Sequence, residues 1–306
     1  LAIALDRILK LEGDIARANA NVGKTIQLNF MDYRELKQTI SSFSSRDLEE
    51  RKNWYSPAAE AYDRARPSYP EEVINRVAAI AGLSSNSKIL EVGCGPGTAT
   101  VAFARLGCSI VSLEPNPDFY KLARQNCQQY SNVEIKNIAF EEWANEPEQF
   151  DAVLAASSFH WIPSEVGYPK AAEALRENGS LILLWNKELQ PSYQTYQRLS
   201  EVYQLHAPHL DRYEDREMQE TILKGLGQIA IDSGQFKNLV GGYIEPAVTY
   251  ITEQYLTLLN TYSPYLKLDT QTKQTLFEGL KNVIKSDFGG SLQLSYISAF
   301  HVAQKC

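Results

Sequence analysis

Between positions 91 and 98 the chain reads Glu91-Val92-Gly93-Cys94-Gly95-Pro96-Gly97-Thr98, with three glycines at alternate positions directly after a short apolar run, Lys88 to Val92. A glycine has no side chain to hold a ligand off the backbone, and a helix starting there turns its unpaired N–H groups toward a carboxylate or phosphate. Such a turn can cradle a nucleotide. Glu114 follows Gly93 by 21 positions, at the end of a second apolar run, where a carboxylate can accept both hydroxyls of an adenosine ribose. The turn and the distant acid together are a much stronger signal than the glycines alone.

Two cofactors could use this arrangement. A dinucleotide turn reads GxGxxG, but here the third glycine comes one position early, Thr98 holds its place, and Glu91 stands two residues before Gly93. A carboxylate beside a pyrophosphate is unfavourable. S-adenosylmethionine brings a sulfonium, an ammonium and a single carboxylate, so an acidic, glycine-lined turn suits it better.

The elements that must hold these residues alternate. The periodicity predicts strands over Lys88 to Val92, Ser109 to Leu113, Val133 to Lys136, Asp151 to Ala155 and Ser180 to Trp185. Helical spacing falls between them over Thr98 to Leu106, Asp118 to Tyr130 and Val166 to Arg176, with a turn at Asn178-Gly179. Alternation of this kind gives an α/β fold, a parallel sheet doubly wound with helices on both faces. The linkers are short, and no second-domain boundary stands out.

On these residues the chain resembles the class I S-adenosylmethionine-dependent methyltransferases, whose first motif looks like 91–98 and whose second acidic position matches Glu114. Tyr62-Asp63-Arg64-Ala65-Arg66-Pro67-Ser68-Tyr69-Pro70, then Phe150-Asp151-Ala152-Val153 leading to Phe159-His160-Trp161, and Thr261-Tyr262-Ser263 look like the trans-aconitate-methyltransferase-like branch, which lies near the quinone-biosynthesis methyltransferases. The resemblance runs from about 54 to 302. It implies a Rossmann-like seven-stranded sheet with an antiparallel last strand, here Gln293 to Ala303, preceded by a strand within Val240 to Tyr250. It also implies donor contacts from Glu91, Gly93, Gly95 and Gly97, from Glu114 with Pro115 and Asn116, from Phe140 and Glu141 over the adenine, from Ala156 and Ser157 at the fourth strand's end, and from Tyr62 and Arg66, which fold over the cofactor and meet its methionine carboxylate. For Phe140 a core position, and for Arg66 a solvated helix face, are the plainer alternatives.

His160 and Trp161 face the same opening. A histidine can take a proton from a hydroxyl or amine as a methyl group arrives, and a tryptophan can wall an acceptor pocket; a histidine that only hydrogen-bonds its own loop remains the alternative, since a carboxylate acceptor needs no base. A segment of about 190–235 reads as a helical cap insert, with Tyr203 on its first helix and Tyr262 further on as acceptor contacts. His206 and His209 flank the helix-breaking Pro208 with no assured third ligand, so no metal is expected.

Composition narrows the partners. The chain has 306 residues, 44% of them hydrophobic, and carries 30 Lys and Arg against 37 Asp and Glu. It can bury a full core, and it lacks the concentrated basic surface that nucleic acid requires. The Asn/Asp-Pro-Pro-aromatic run of nucleic-acid amino-methyltransferases is replaced by Ala156 to Trp161. The four cysteines have no metal or disulfide spacing and no run is long enough for a membrane span, which fits a cytoplasmic enzyme. The chain opens at Leu1, while Met31 begins a stretch that reads like a start. The expectation is therefore an N-terminal helical extension over 1–53, of which 1–30 is foreign or part of a larger chain, followed by a methyltransferase domain over 54–306. The expected reaction is S-adenosylmethionine-dependent methylation of a small organic molecule at a carboxylate or hydroxyl oxygen, giving S-adenosylhomocysteine. Carbon or nitrogen methylation of a quinone-like or natural-product metabolite, and a non-catalytic donor-binding module, are the alternatives.

Overall fold

Ile89, Leu90 and Val92 leave β1 (Lys88–Val92) with almost no exposed surface, as expected of a strand flanked on both edges and covered on both faces. It pairs in parallel with β2 (Ser109–Leu113) on one side and β4 (Phe150–Ala156) on the other, and β3 (Val133–Lys136) extends the sheet beyond β2. In the computed structural model, which describes residues 33–145 and 147–306, β5 (Leu175–Asn186), β7 (Phe236–Ile244) and β10 (Ser298–Lys305) complete the order β3-β2-β1-β4-β5-β10-β7. β10 is antiparallel to both its neighbours. This is the doubly wound seven-stranded α/β sheet, last strand antiparallel, that the alternation and the resemblance predicted.

Three expectations need correction. The turn at Asn178-Gly179 does not reverse the chain. Asn178 adopts φ +63° inside β5, and the register against β4 shifts between Phe150 and Ala152, so the left-handed residue makes a bulge. The strand expected over Gln293 to Ala303 is two strands, β9 (Ser291–Ser295) and β10, and the strand expected within Val240 to Tyr250 likewise divides into β7 and β8 (Ala247–Ile251). β8 pairs with β9, and the short β6 (Gln190–Pro191) pairs with β9's other edge, as a separate three-stranded sheet. The four long strands form one antiparallel ribbon that bends from sheet to sheet around Pro246, where Tyr296 N–H donates to the Pro246 carbonyl at 3.2 Å. Proline has no N–H to continue the ladder.

The third correction concerns the cap and the extension. Of the segment 190–235, β6, the helix Tyr193–His206 and the turn through Ala207 and Leu210 belong to the cap; the helix packs on the helix Thr270–Phe288 through Leu199, Val202, Leu276 and Leu280, above β8 and β9. The helix Arg216–Asp232 covers the main sheet, and Ile222, Leu226 and Ala230 join the main core. Residues 33–53, expected as an extension, are part of the same body. Leu36 and Ile40 of the helix Tyr33–Ser44 enter the main core, and Tyr33 Oη and Lys37 Nζ each lie 2.6 Å from Asp232 Oδ2. The reading of 1–30 falls outside the described residues.

Candidate active site

The C-terminal ends of β1, β2, β4 and β5 and the loop after β3 open into one cavity, the crevice where parallel α/β sheets bind ligands. Its floor is the glycine turn. Gly93, Gly95 and Gly97 all have positive φ, at +67°, +58° and +89°, but they serve different ends. A Cβ on Gly95 would meet nothing within 4 Å, so the backbone there faces free space that a ligand can fill. A Cβ on Gly97 would stand 3.0 Å from Cys127 Sγ. That glycine lets the helix Thr98–Arg105 approach the helix Pro117–Cys127 and does not line the cavity.

Glu114, at the end of β2, turns back over the turn. One carboxylate oxygen accepts Gly95 N–H at 2.7 Å and the other accepts Asn116 N–H at 2.8 Å. Burial pushes its pKa up to about 7 against the lowering effect of those two bonds. Each carboxylate oxygen retains a lone pair, so the group can still accept ribose hydroxyls. Pro115, Asn116, Phe140 and Glu141 line the same end of the cavity. Phe140 is 2% exposed and stacks on Trp143 in the core, and it also forms cavity wall. Open backbone at Gly95, a carboxylate beside it and an apolar wall make a fit for the adenosine of S-adenosylmethionine.

Glu91 does not belong to this set. It is completely buried behind the turn, where Oε2 accepts the hydroxyls of Thr100 at 2.5 Å and Ser112 at 2.9 Å, and burial raises its pKa to about 7. It ties β1 to β2 and to the following helix. The carboxylate expected near the donor is thus structural.

The other end of the cavity lies beyond β4 and β5. Ala156, Ser157 and Ser158 end β4; Ser158 Oγ donates to the Val92 carbonyl, and Ser157 Oγ lies 3.0 Å from Tyr69 Oη. His160 and Trp161 form the short 3₁₀ turn Phe159–Trp161 and both line the cavity. His160 is buried beside Trp161 and Trp185, and burial holds its imidazole pKa well below the usual value, so it is neutral at pH 7.

Arg66 ends the helix Ala59–Ala65 and is half-buried, not a solvated helix face. Its guanidinium lies 4.0 Å from the Tyr262 ring centroid and 4.9 Å from that of Tyr62, and it donates to the Thr261 hydroxyl at 2.8 Å and carbonyl at 3.0 Å. Nη1 has no protein acceptor, and no carboxylate lies within 4 Å, among the described residues. Tyr62 and Arg66 line the cavity, whereas Tyr203 and Tyr262 do not. Tyr203 bonds Tyr265 hydroxyl to hydroxyl at 2.8 Å in a neighbouring cavity of the cap, and Tyr262 supports Arg66 from behind while its hydroxyl accepts Leu189 N–H.

Several lining residues escaped the sequence reading. Leu48, Arg51, Lys52 and Tyr55 come from the segment that no motif covered, and Asn186, Lys187, Glu188 and Leu189 follow β5. The rule that ligands bind past the ends of parallel strands would have found the second group; nothing local marks the first. Among the described residues no group of three or more His, Cys, Asp or Glu side chains could hold a metal ion.

Comparison with known proteins agrees with this geometry. Residues 89–179 match the model of a methyltransferase domain. An uncharacterized methyltransferase of Mycobacterium tuberculosis is 33% identical over 132 residues, 43% of this chain and 51% of that protein. A ubiquinone biosynthesis O-methyltransferase of Xanthomonas campestris is 28% identical over 155 residues, 48% of this chain and 63% of the relative. The chain thus spans about half the length of the first of these relatives. The solved structure of an Anaeromyxobacter dehalogenans protein assigned as a type II methyltransferase shares the fold, with a TM-score of 0.59 at 16% identity over 78% of this chain and 97% of that one. Over residues 89–179, therefore, the chain matches a methyltransferase domain, set in a sheet of the fold shared with the Anaeromyxobacter dehalogenans structure.

Proposed function

We propose that this chain is an enzyme that methylates a small organic molecule at a carboxylate or hydroxyl oxygen, with S-adenosylmethionine as donor. The observation that carries the reading is the continuity of the cavity: from Gly95 and Glu114 it runs without a partition to Arg66, His160 and Asn186–Leu189. A module that only sensed the donor would need the first end and no second. When bound, S-adenosylmethionine supplies an electrophilic methyl group and departs as neutral S-adenosylhomocysteine.

The chain's own part is to hold and to shield. Glu114 would take the ribose hydroxyls and the Gly95 backbone would lie against the ligand, while the small residues 156–158 leave room where the methyl group must pass. Leu48, Tyr55 and Trp161 wall the cavity with apolar surface, which excludes water and keeps two reactants at near-attack distance. Arg66, expected to meet the donor's methionine carboxylate, presents a half-buried guanidinium whose Nη1 edge suits a carboxylate, so an acceptor carboxylate would have to share it or lie beyond it. His160 is neutral and can accept a proton where the acceptor is a hydroxyl.

Calorimetry with S-adenosylmethionine, S-adenosylhomocysteine and NAD tests the donor, and a mass-spectrometric search of metabolite extracts for +CH₂ products with labelled donor tests the reaction. The expected result is binding of the first two ligands only, and a labelled small-molecule product. Tight NAD binding without any response to S-adenosylhomocysteine would overturn the reading.

A further inference from the structure

Residues 47–56 cross the mouth of the cavity from its donor end to its acceptor end. Asp47 caps the helix Leu48–Asn53 by accepting Glu49 N–H. Beyond that the segment is anchored by ring contacts of Trp54 and Tyr55 and by polar bonds to several loops. Lys52 carbonyl and Ser56 Oγ accept from Asn116 Nδ2 at 2.7 and 2.9 Å, Lys52 Nζ pairs with Glu142 at 3.0 Å, and Trp54 Nε1 and Tyr55 Oη meet Ser263 Oγ at 3.2 and 3.1 Å.

At the centre of the strap one atom serves both ends of the site. Arg51 Nη1 donates to Glu141 Oε1 at 2.6 Å and to the Trp161 carbonyl at 2.6 Å. The side chains of Arg51 and Glu141 are only 10% and 17% exposed, so solvent screens the pair weakly. Glu141 follows β3 beside Phe140, whereas Trp161 follows β4 and stands beside His160. Trp161 is further held by Phe43 and Trp54, each with its ring centroid 5.8 Å away.

We propose that Arg51 is a positioning residue that couples donor binding to the placement of Trp161, so that the acceptor wall is set only when the donor end is occupied. The inference rests on the donor reading above. A ligand packed against Phe140 and Glu141 fixes the Glu141 carboxylate, the carboxylate fixes Arg51 Nη1, and the same nitrogen fixes the Trp161 carbonyl. Coupling of this kind is reciprocal, so the strap closed on Trp161 also tightens donor binding.

S-adenosylhomocysteine is the probe, with calorimetry for affinity and stopped-flow tryptophan fluorescence for dissociation. The chain has four tryptophans, and Trp161→Phe identifies the part of the signal that belongs to Trp161. The parent protein should give a Trp161-dependent change on binding. Arg51→Gln should bind S-adenosylhomocysteine about 3- to 30-fold more weakly, release it about 10-fold faster and lose the Trp161 signal, with Arg51→Lys restoring part of each. Glu141→Gln cuts the other end of the same bond, so a poorly folded Arg51 variant still leaves a test, and the double variant should be no worse than the poorer single one. Unchanged release and a full Trp161 signal in Arg51→Gln or in Glu141→Gln would overturn the coupling. A parent protein that does not bind S-adenosylhomocysteine would instead overturn the donor reading.

Discussion

Glu91→Gln separates structure from function at the glycine turn. The carboxyl group is completely buried, and its pKa is raised from 4.5 to about 7, chiefly by desolvation, with the Thr100 and Ser112 hydroxyls pulling the other way. A raised carboxyl pKa means that the folded protein holds this proton more tightly than the unfolded chain. Its stabilising contribution is complete below pH 4.5 and is lost as the pH rises through about 7. At ~1.4 kcal/mol per pH unit, the interval corresponds to an upper limit of roughly 3 kcal/mol at pH 8. The glutamine amide cannot ionise, and whatever its NH₂ group costs when buried is the same at every pH. The stability of Glu91→Gln relative to the parent should therefore improve by roughly 1–3 kcal/mol between pH 4.5 and pH 8, a gain that includes the relief of Glu114, whose pKa the Glu91 charge helps to raise. Urea unfolding of both proteins across that range measures it, and S-adenosylhomocysteine affinity should stay within about threefold because Glu91 does not line the cavity. Parallel stability curves would refute the assigned burial. A large loss of affinity in a folded variant would return Glu91 to the donor site.

Three further substitutions address the site itself. Glu114→Ala should weaken S-adenosylhomocysteine binding by about 1.5–3 kcal/mol, or roughly 10- to 150-fold, and calorimetry showing less than a twofold change would remove Glu114 as the ribose ligand. Gly95→Val should abolish binding, since the new side chain enters the space left for the ligand, and should also lower the melting temperature because valine is strained at φ +58°; normal affinity in the folded variant would deny the turn its cradle role. His160→Ala should lower kcat on a hydroxyl acceptor by on the order of 10²–10⁴ and leave a carboxylate acceptor nearly unaffected. Because burial lowers the imidazole pKa, the acidic limb of the parent's pH–rate profile should lie below the ordinary imidazole range, and an identical limb in the variant would exclude the base.

The sequence made the donor half legible because its determinants are local. A strand, a glycine turn and a helix occupy consecutive residues, and the spacing to Glu114 is fixed by one further helix and strand, so residues 88–114 contain both sides of the donor end. Glu91 was misplaced for an instructive reason. Its position beside the turn suggests contact with the ligand, but the inward-facing pleat of β1 sends it toward Thr100 and Ser112 instead, and periodicity alone does not say which side of a doubly covered sheet a carboxylate takes. The divided strands were illegible for the same kind of reason. Gln293 to Ala303 has continuous strand character, and only the partner ribbon, interrupted at Pro246, decides that pairing moves to another sheet at Tyr296 and Ile297.

The acceptor half differs because no single stretch of chain contains it. Arg66 is aimed by Thr261 and Tyr262, which lie 195 residues further on for its bond to Thr261, and Tyr55 and Trp54 meet Ser263 across a similar distance. Lys187, in the loop after β5, is paired at 2.8 Å with Glu214, and Glu188 at 2.5 Å with Arg212. These pairs neutralise the two acidic side chains nearest that end and leave the Arg66 charge without a carboxylate of its own. On the proposed function, this half-buried guanidinium, which Glu188 reaches only through space, is the group that would meet an anionic ligand. The charge preference of that end would then follow from the partners held by Glu188, Glu214 and Arg66. A change at Thr261 or Arg212, neither of them in the glycine-turn motif, would alter the acceptor preference before it altered the donor site.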